Sequence, residues 1–312
     1  MLVRKTSFID GVNFSSKNSD RYLRIINFKK KERKIIDKGI LIGGNGSFNW
    51  YHWIVECLPK LFLSNYLPNE FYEYPLIVPD ICQKNKNFMD SLSIFNKIGR
   101  DILYFGIKDI IFANKLVYIE NVVEAPFVVK RRFKIVANDY SQNDDLILKY
   151  SNKFHKHYKS KTLVYNKKYY KRIFLARKNS LRQYNQKEIL EIARRYKFKE
   201  FYLEDLDLLE QISLFSNAKY IVGPSGAAWT GLIFAKNNKL KCLSWLPDYL
   251  NQFCSFSNLA NILNHDLKFI KTENSFNIFE DYDFHSSFHR LNPTVFEIEI
   301  KKLFLDLKYL IF

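Results

Sequence analysis

Residues 49–56 read NWYHWIVE and place a histidine and a carboxylate four residues apart among aromatic and apolar side chains. On a helix this spacing puts His52 and Glu56 on one face, a single turn apart. Asn49 is a favourable N-cap residue, so we expect the helix to begin there, directly after the glycine-rich GGNGS. A neutral imidazole oriented by a carboxylate is what a general base requires. A core histidine paired with its neighbour is the alternative explanation.

A second candidate site is the segment KYIVGPSGAAWTGLIF, residues 219–234, where a buried strand is expected to end and a helix to open around the two glycines. Glycine and alanine allow backbone amides to approach a ligand, and a helix N-terminus attracts phosphate. The alternative is that the small residues only permit close packing between helix and sheet. The candidate phosphate contacts are Gly223, Ser225, Gly226, Ala227 and Thr230.

Arginines follow the strand expected at 171–177. Arg177 stands at the carboxyl end of this strand, and Arg182 and Asn185 come next. A guanidinium group makes forked hydrogen bonds to a diphosphate, so these residues are candidates to bind one. For Arg182, a solvated position at the surface explains the sequence equally well.

Acidic residues at 205–210 allow two interpretations. Asp207 and Glu210 have the spacing of a capping box at the start of a helix, whereas a binding interpretation places the Glu210 carboxylate on ribose hydroxyls. Asp205 and Asp207 also spell D-x-D, as do residues 281–283, and such pairs can hold Mg²⁺ or Mn²⁺ on a nucleotide diphosphate. Three-residue matches arise easily by chance, so we predict no metal site.

The elements that must position these residues alternate between strand and helix. In the first half we expect strands at 40–44, 75–80, 101–105 and 115–120, and helices at 86–98 and at 49–66, the latter kinked by Pro59. In the second half we expect strands at 171–177, 199–203, 219–223 and 239–246, and helices at 185–198, 207–218, 226–235 and 296–312. This alternation predicts an α/β fold of βαβ units with parallel sheets, whose ligands bind beyond the carboxyl ends of the strands.

Length and composition predict two globular domains. The chain has 312 residues, of which 47% are apolar. Residues 128–170, rich in Lys, Tyr, Asn and Ser, are interpreted as the connection between domains. We place the first domain at 1–150 and the second at 151–289, with 290–312 as a segment that could return to complete the first.

The charge favours anionic partners. A net charge of +17 and a pI near 9.5 suit nucleic acid, phosphorylated substrates or an acidic membrane surface. No apolar run has the length of a signal peptide or a membrane span, so we expect a soluble, cytoplasmic protein, at most peripheral on the inner face of the membrane. The four cysteines form no CxxC pair, which argues against a zinc site.

Three motifs follow one another along the chain. The first is N-x-x-H-W-x-x-E-x-L-P-K-L, beginning at Asn49; the second is FLARKNSLRQYNQKEIL; the third is LLEQISLFSNAKYIVGPSGAAWTGLIFA. In this order they resemble glycosyltransferase family 61, the group of plant xylosyl- and arabinosyltransferases, animal protein O-GlcNAc transferases and many bacterial polysaccharide enzymes. The sequence departs from the family where Ser225 replaces a frequent histidine and Gly231 a frequent asparagine, which puts a donor contact of that imidazole in doubt.

The resemblance implies a glycosyltransferase (a hexosyl- or pentosyltransferase) with GT-B architecture, in which two Rossmann-like domains face each other across a cleft. It implies inverting transfer with no cofactor or essential metal beyond the nucleotide-sugar co-substrate, for which a UDP-sugar is expected. The acceptor would be a glycan or lipid-linked glycan of bacterial capsule or lipopolysaccharide synthesis, bound to the N-terminal domain.

The resemblance also assigns roles. His52 would deprotonate the acceptor hydroxyl, and Glu56 would orient the ring or be the base itself. Tryptophan faces suit sugar rings, although they are more often core, so Trp50 and Trp53 would join Asn49 on the acceptor side. The predicted donor contacts are Arg177, Arg182, Asn185, Glu210, Gly223, Ser225, Gly226, Ala227 and Thr230.

Two rival functions remain from the sequence. A nucleic-acid-binding protein is suggested by the charge, but the basic residues are scattered and no recognised nucleic-acid motif is present, so we predict no nucleic-acid partner. A metal-dependent transferase of the GT-A type would use Asp205 and Asp207, and sensitivity to EDTA would reveal it.

Overall fold

A computed structural model describes residues 15–17, 20–22, 33–44, 46–106, 109–124, 137, 140–161, 170–178, 182–235, 239–274 and 288–305. The chain divides into two units, Met1–Glu124 and Ala125–Phe312. Both contain parallel sheets flanked by helices, so the predicted α/β class is confirmed for the described residues. Within them, no helix combines the length and the apolar character needed to cross a bilayer.

The first unit is built on a parallel sheet. Its strands lie in the order β5-β4-β3-β6, and β4 is buried along its whole length. The strands are β1 (Ser15–Lys17), β2 (Asp20–Tyr22), β3 (Arg33–Leu41), β4 (Leu76–Pro79), β5 (Ile102–Phe105), β6 (Ile110–Tyr118) and β7 (Val123–Glu124), of which β1 and β2 form an antiparallel pair. The helices are α1 (Trp50–His52), α2 (Leu58–Ser64), α3 (Ile81–Lys84) and α4 (Lys86–Phe95), with a π-helical turn at Trp53–Cys57 between the first two and a 3-10 turn at Asn69–Phe71.

The second unit holds a sheet in the order β10-β9-β11-β12-β13-β14, parallel except for the last strand. The strands are β8 (Ser141–Gln142), β9 (Arg172–Leu175), β10 (Lys199–Phe201), β11 (Tyr220–Pro224), β12 (Lys241–Pro247), β13 (Asp266–Asn274) and β14 (His289–Arg290). The helices are α5 (Asp144–Lys161), α6 (Gln186–Arg195), α7 (Leu208–Asn217), α8 (Ser255–Ile262) and α9 (Pro293–Phe304), with 3-10 helices at Leu203–Asp205, Ala227–Phe234 and Asp248–Leu250. The four strands predicted here are confirmed, as are the helices predicted at 185–198 and 207–218, whereas the segment predicted as a helix at 226–235 is a 3-10 helix. Strands β9, β11 and β12 are apolar runs buried at nearly every position.

The segment interpreted as a connection, 128–170, contains the 18-residue helix α5. An apolar stripe lies under its lysines: Ile147, Tyr150 and Phe154 are fully buried. Phe154 packs against Phe234 with ring centroids 4.9 Å apart, and Ser151 Oγ donates to the Ile233 carbonyl at 2.7 Å. This helix therefore belongs to the second unit, and the division falls after residue 124 instead of after residue 150.

The terminal helix also differs from its prediction. Helix α9 begins at Pro293, capped by the Asn292 side chain, and its described part ends at Phe304. Its buried residues Phe296, Ile300 and Leu303 pack in the core of the second unit with residues of β9, β11 and β12. The described part of 290–312 thus completes the second unit and not the first.

Candidate active site

The helix after the glycine-rich loop begins as the sequence predicts. Asn49 is the N-cap, and its Oδ1 accepts the Tyr51 N–H at 2.9 Å. The irregularity expected at Pro59 lies earlier in the segment, between Trp53 and Cys57. Pro59 itself stands in the first turn of α2, where proline is tolerated. Between Trp53 and Cys57 the chain makes a π-helical turn, in which the Leu58 N–H donates to the Trp53 carbonyl. Such turns are rare and frequently lie at functional sites.

The predicted histidine–carboxylate pair is formed. His52 Nδ1 lies 2.9 Å from Glu56 Oε1, and only 7% of Glu56 is exposed. An ionised carboxylate can only accept, so with Glu56 ionised the proton of this bond is on Nδ1. In the neutral ring Nε2 then holds the lone pair, and the carboxylate fixes both the tautomer and the orientation of the imidazole.

Gly46 packs directly against the imidazole. It has a φ of +70°, and a Cβ added there would lie 2.6 Å from His52 Cδ2 and 2.8 Å from Cγ. Both the left-handed backbone and the close approach therefore require glycine. The edge of the Tyr51 ring meets the imidazole at a centroid distance of 5.3 Å. The glycine-rich loop thus packs against one side of the His52 ring.

The predicted acceptor-side residues separate into two groups. Trp53 is fully buried, its indole N–H donates to Ser91 Oγ at 2.8 Å, and its ring stacks on Phe88. The prediction that Trp53 contacts a sugar is wrong, because the tryptophan is a core residue with its polar atom satisfied. Trp50 is half-buried and Asn49 is exposed, so their role stays a prediction.

The second site is a small pocket at the carboxyl ends of β9, β11, β12 and β13. This is where ligands of parallel sheets bind. Two arginines and a histidine line it, and no aspartate or glutamate does. The lining residues are Arg177, Arg182, Tyr184, Pro224, Ser225, Trp245, Leu246, Pro247, Thr272 and His289.

Arg177 is held from both ends. Its backbone N–H donates to Gln186 Oε1 at 2.8 Å, and its Nη2 donates to the Ser225 carbonyl at 2.9 Å. Burial lowers the pKa of Arg177, while Tyr184 and Glu204 act in the opposite direction. Loss of solvation therefore outweighs the nearby counter-charge at this guanidinium.

Arg182 lies beside Arg177 in the pocket. Burial, together with the charge of Arg177, lowers the pKa of Arg182 to about 10. Its φ of 51° falls in the left-handed region, which is uncommon for a residue other than glycine. Two desolvated cations at one place favour an anionic ligand, so the structure supports the pocket position over the alternative of a solvated surface arginine.

The small residues after β11 have different surroundings. A Cβ on Gly226 would lie 2.9 Å from Arg177 Nη2, whereas one on Gly223 would lie 2.7 Å from Leu175 Cβ. Gly226 thus makes room for the guanidinium, and Gly223 makes room for the neighbouring strand, as the packing alternative states. Thr230 is fully buried and does not line the pocket, so its predicted donor contact is not supported.

Ser225 and Ala227 flank the glycine that accommodates Arg177. Ser225 lines the pocket, but its backbone N–H already donates to the Trp245 carbonyl at 3.1 Å. Ala227 is half-buried at the first position of a 3-10 helix. Any contact of Ser225 with a ligand therefore falls to its side chain, and the role of Ala227 stays a prediction.

Two other predicted donor contacts have structural partners. The Asn185 side chain accepts the Leu291 N–H and donates to the Leu291 carbonyl, each at 2.9 Å, and so fastens the segment before α9. Glu210 Oε2 accepts the Asp207 N–H at 2.8 Å in a complete capping box. The bonds observed are those of the structural alternative, and a ribose contact of Glu210 stays a prediction.

The acidic residues of the metal-dependent rival are engaged in other contacts. Asp205 forms an ion pair with Lys178, and Asp207 accepts the Glu210 N–H as the cap of α7. Among the described residues, no group of three or more His, Cys, Asp or Glu side chains is arranged to hold a metal. The D-x-D at 281–283 lies outside the described residues.

Four pocket residues with polar side-chain atoms are not predicted from the sequence: Tyr184, Trp245, Thr272 and His289. Trp245 lies near the carboxyl end of β12, which faces the pocket, so the rule for ligands of parallel sheets could have found it. Thr272 and His289 come from segments without a motif, and only the sheet order β12-β13-β14 brings them to this edge.

The histidine–carboxylate helix and the arginine pair fall within residues 50–242, which match the family described as Glycosyltransferase 61. The protein is therefore a glycosyltransferase, and the predicted enzyme class is confirmed. Since the match covers more than half of the chain, the chain belongs to glycosyltransferase family 61, as its three motifs indicated. No curated protein matches the chain in sequence.

Proposed function

We propose that the protein is an inverting glycosyltransferase of GT-B architecture. It transfers a hexose or pentose from a nucleotide sugar, of the UDP type, to a glycan or lipid-linked glycan in the synthesis of bacterial capsule or lipopolysaccharide. The observation that carries the donor side is the pair of desolvated guanidinium groups, Arg177 and Arg182, in a pocket without a carboxylate.

The donor diphosphate binds at this pocket. Guanidinium groups pair with phosphate oxygens through two parallel hydrogen bonds, and binding of an anion offsets the cost of burying both cations. Gly226 leaves the space in which Arg177 reaches across to Ser225. When the sugar departs, these groups stabilise the negative charge that develops on the diphosphate.

The acceptor reacts at His52. In one step the acceptor hydroxyl gives its proton to Nε2, its oxygen forms a bond to the anomeric carbon, and the bond from that carbon to the diphosphate breaks. Attack opposite to the leaving group inverts the configuration. Glu56 holds the ring through Nδ1, or takes the proton itself, and a comparison of two variants separates these roles.

The test begins with a panel of nucleotide sugars, with donor hydrolysis read by mass spectrometry. His52→Ala should lower kcat by about 10²–10⁴-fold and leave nucleotide affinity and thermal stability nearly unchanged. Glu56→Gln should have a smaller effect if Glu56 only orients the ring and a larger one if it is the base. Glu70→Gln, at an exposed position of the same unit, is the control. Unfolding of His52→Ala would instead identify a core histidine.

Transfer without an essential metal is part of the proposal, because arginine can carry the charge of the leaving group. Turnover should survive EDTA. The metal-dependent rival would be favoured if EDTA removed turnover, Mn²⁺ restored it and Asp205→Ala abolished it.

A cytoplasmic location with peripheral attachment to an anionic membrane surface is the last part of the proposal, and the net charge of +17 supports it. Binding to vesicles with acidic lipid should fall steeply as salt rises. Equal binding to neutral vesicles would contradict this attachment.

A further inference from the structure

Apart from its arginines, the arginine pocket contains two buried polar atoms that have no hydrogen-bond partner among the described residues. They are Nε1 of Trp245 and Oγ1 of Thr272. Trp245 is 3% exposed and Thr272 is 5% exposed, and both side chains line the pocket. Buried polar groups in native proteins are nearly always paired, so a pair of orphans at one pocket points to a missing ligand.

Other tryptophans show that this protein normally satisfies its indoles. Trp53 donates to Ser91 Oγ at 2.8 Å, and Trp229 donates to the Pro224 carbonyl at 3.0 Å, and both are fully buried. Trp245 is almost as buried and is packed by the rings of Phe174, Tyr184 and Phe296. Its N–H is therefore the exception, and it occurs at the pocket.

The sheet register places the two orphan groups on one face. Trp245 pairs with Ile270 and Pro247 pairs with Thr272 on the adjacent parallel strands β12 and β13. Residues two apart on a strand point to the same side, so Trp245 and Thr272 share a side of the sheet at its carboxyl edge. They thus lie at the same edge of the sheet as the arginines that follow β9.

The chemistry of the lining selects an acceptor. An indole N–H and a guanidinium group can only donate, and a threonine hydroxyl can donate as well. No carboxylate lines the pocket to use these donors; Glu204, which acts on Arg177, is exposed and lies outside the lining. The ligand must present several acceptor oxygens and negative charge, as a diphosphate does.

We propose that Trp245 and Thr272 are further donor-binding residues, whose N–H and hydroxyl hydrogen-bond the phosphate oxygens held by Arg177 and Arg182. The identity of this anion as a nucleoside diphosphate rests on the proposed function, but the contacts themselves do not. The anion is therefore bound from two sides, by the arginine segment after β9 and by the edge of β12 and β13.

The test is calorimetric binding of inorganic pyrophosphate, UDP and uridine to the full chain. Trp245→Phe keeps an aromatic ring but removes the N–H together with the pyrrole half of the indole, and Thr272→Val keeps the shape and removes only the hydroxyl. Each should weaken pyrophosphate and UDP by about tenfold or more, since each loses a hydrogen bond to a charged group. Uridine binding should stay as in the wild type.

Two matched controls remove similar groups elsewhere. Trp229→Phe deletes an indole N–H that has a partner within the protein, and Ser244→Ala deletes a buried hydroxyl that has no partner among the described residues and does not line the pocket. Both should leave pyrophosphate affinity within about twofold of the wild type. Both tryptophan variants leave a cavity and should lower the thermal midpoint, Trp229→Phe further because it also loses a satisfied hydrogen bond. Thr272→Val should not lower it, because its hydroxyl is unsatisfied until the anion binds.

The outcomes separate this inference from the proposed function. Unchanged pyrophosphate affinity in both pocket variants, or a loss confined to UDP, overturns the inference even if the enzyme transfers sugar. A wild-type protein that binds neither pyrophosphate nor UDP overturns it as well. Weakened pyrophosphate binding in both variants supports the inference even if no nucleotide sugar on the panel is turned over, in which case only the proposed function fails.

Discussion

Replacing Gly46 by alanine tests whether the position of the His52 ring, and not only its presence, governs turnover. Gly46 has a φ of +70°, and an added Cβ would lie 2.6 Å from His52 Cδ2. Gly99 is a matched control, because its φ is +72° and nothing lies within 4 Å of its added Cβ. The two substitutions share the backbone cost and differ in the contact with the imidazole.

The expected magnitudes follow from this difference. An alanine in the left-handed region costs about 1–2 kcal/mol, partly offset by the lower entropy of its unfolded chain. The backbone should therefore cost both variants a similar, small amount of stability, and displacement of the ring adds to this cost in Gly46→Ala. In Gly46→Ala the ring must also retreat by about 0.8 Å to reach the 3.4 Å of ordinary contact. A misplacement of about 1 Å can cost on the order of 10²-fold in rate, so kcat should fall by that order.

The assay is release of nucleoside diphosphate from the donor that the panel identifies, in the presence of acceptor, with thermal unfolding measured in parallel. Gly99→Ala should turn over at close to the wild-type rate. Equal kcat in the two variants, with both folded at the assay temperature, would refute the reasoning, because the displaced imidazole would then have no consequence for chemistry. A second, stabilising substitution could restore the thermal stability of Gly46→Ala. If kcat stayed low in that double variant, the lost rate would come from the position of the ring.

Three further outcomes are expected. Arg177→Ala should weaken UDP by about 1.5–3 kcal/mol in calorimetry, the range for a hydrogen bond to a charged group, and unchanged affinity would exclude its donor role. UDP affinity should hold below pH 10 and decline as pH rises through about 10, because the anion binds the protonated form of Arg182 and burial sets its pKa there; a flat titration curve would contradict this assignment. Gly231→Ala places a Cβ 2.1 Å from the Phe215 ring and should lower the free energy of unfolding by about 1–3 kcal/mol, with thermal unfolding as the measurement and an unchanged midpoint as the contrary result.

The parts of the fold that the sequence predicts are those in which local pattern and tertiary role agree. Strands β9, β11 and β12 are continuous apolar runs, and α7 begins at a capping box that the structure contains. The pair of His52 and Glu56 follows from helical spacing alone. In each case the residues that decide the structure are neighbours in the sequence.

The parts that the sequence did not predict depend on distant partners. The lysines of helix α5 give this segment the composition of a connection and conceal the apolar stripe that packs against Phe234. The burial of Trp53 and the partial exposure of Trp50 depend on α4, which supplies Phe88 and Ser91. Thr272 reaches the pocket only through the order of the strands, which periodicity does not reveal.

The residues that line the pocket extend further along the chain than the region that matches the family. The shared region ends at residue 242, whereas Trp245, Thr272 and His289 all come later. Asn185 fastens the segment before α9 beside the arginine segment through its two hydrogen bonds to Leu291. A fragment trimmed to the homologous region would keep both guanidinium groups and lose the wall opposite them, so the limits of homology are a poor guide to where this protein can be cut for expression.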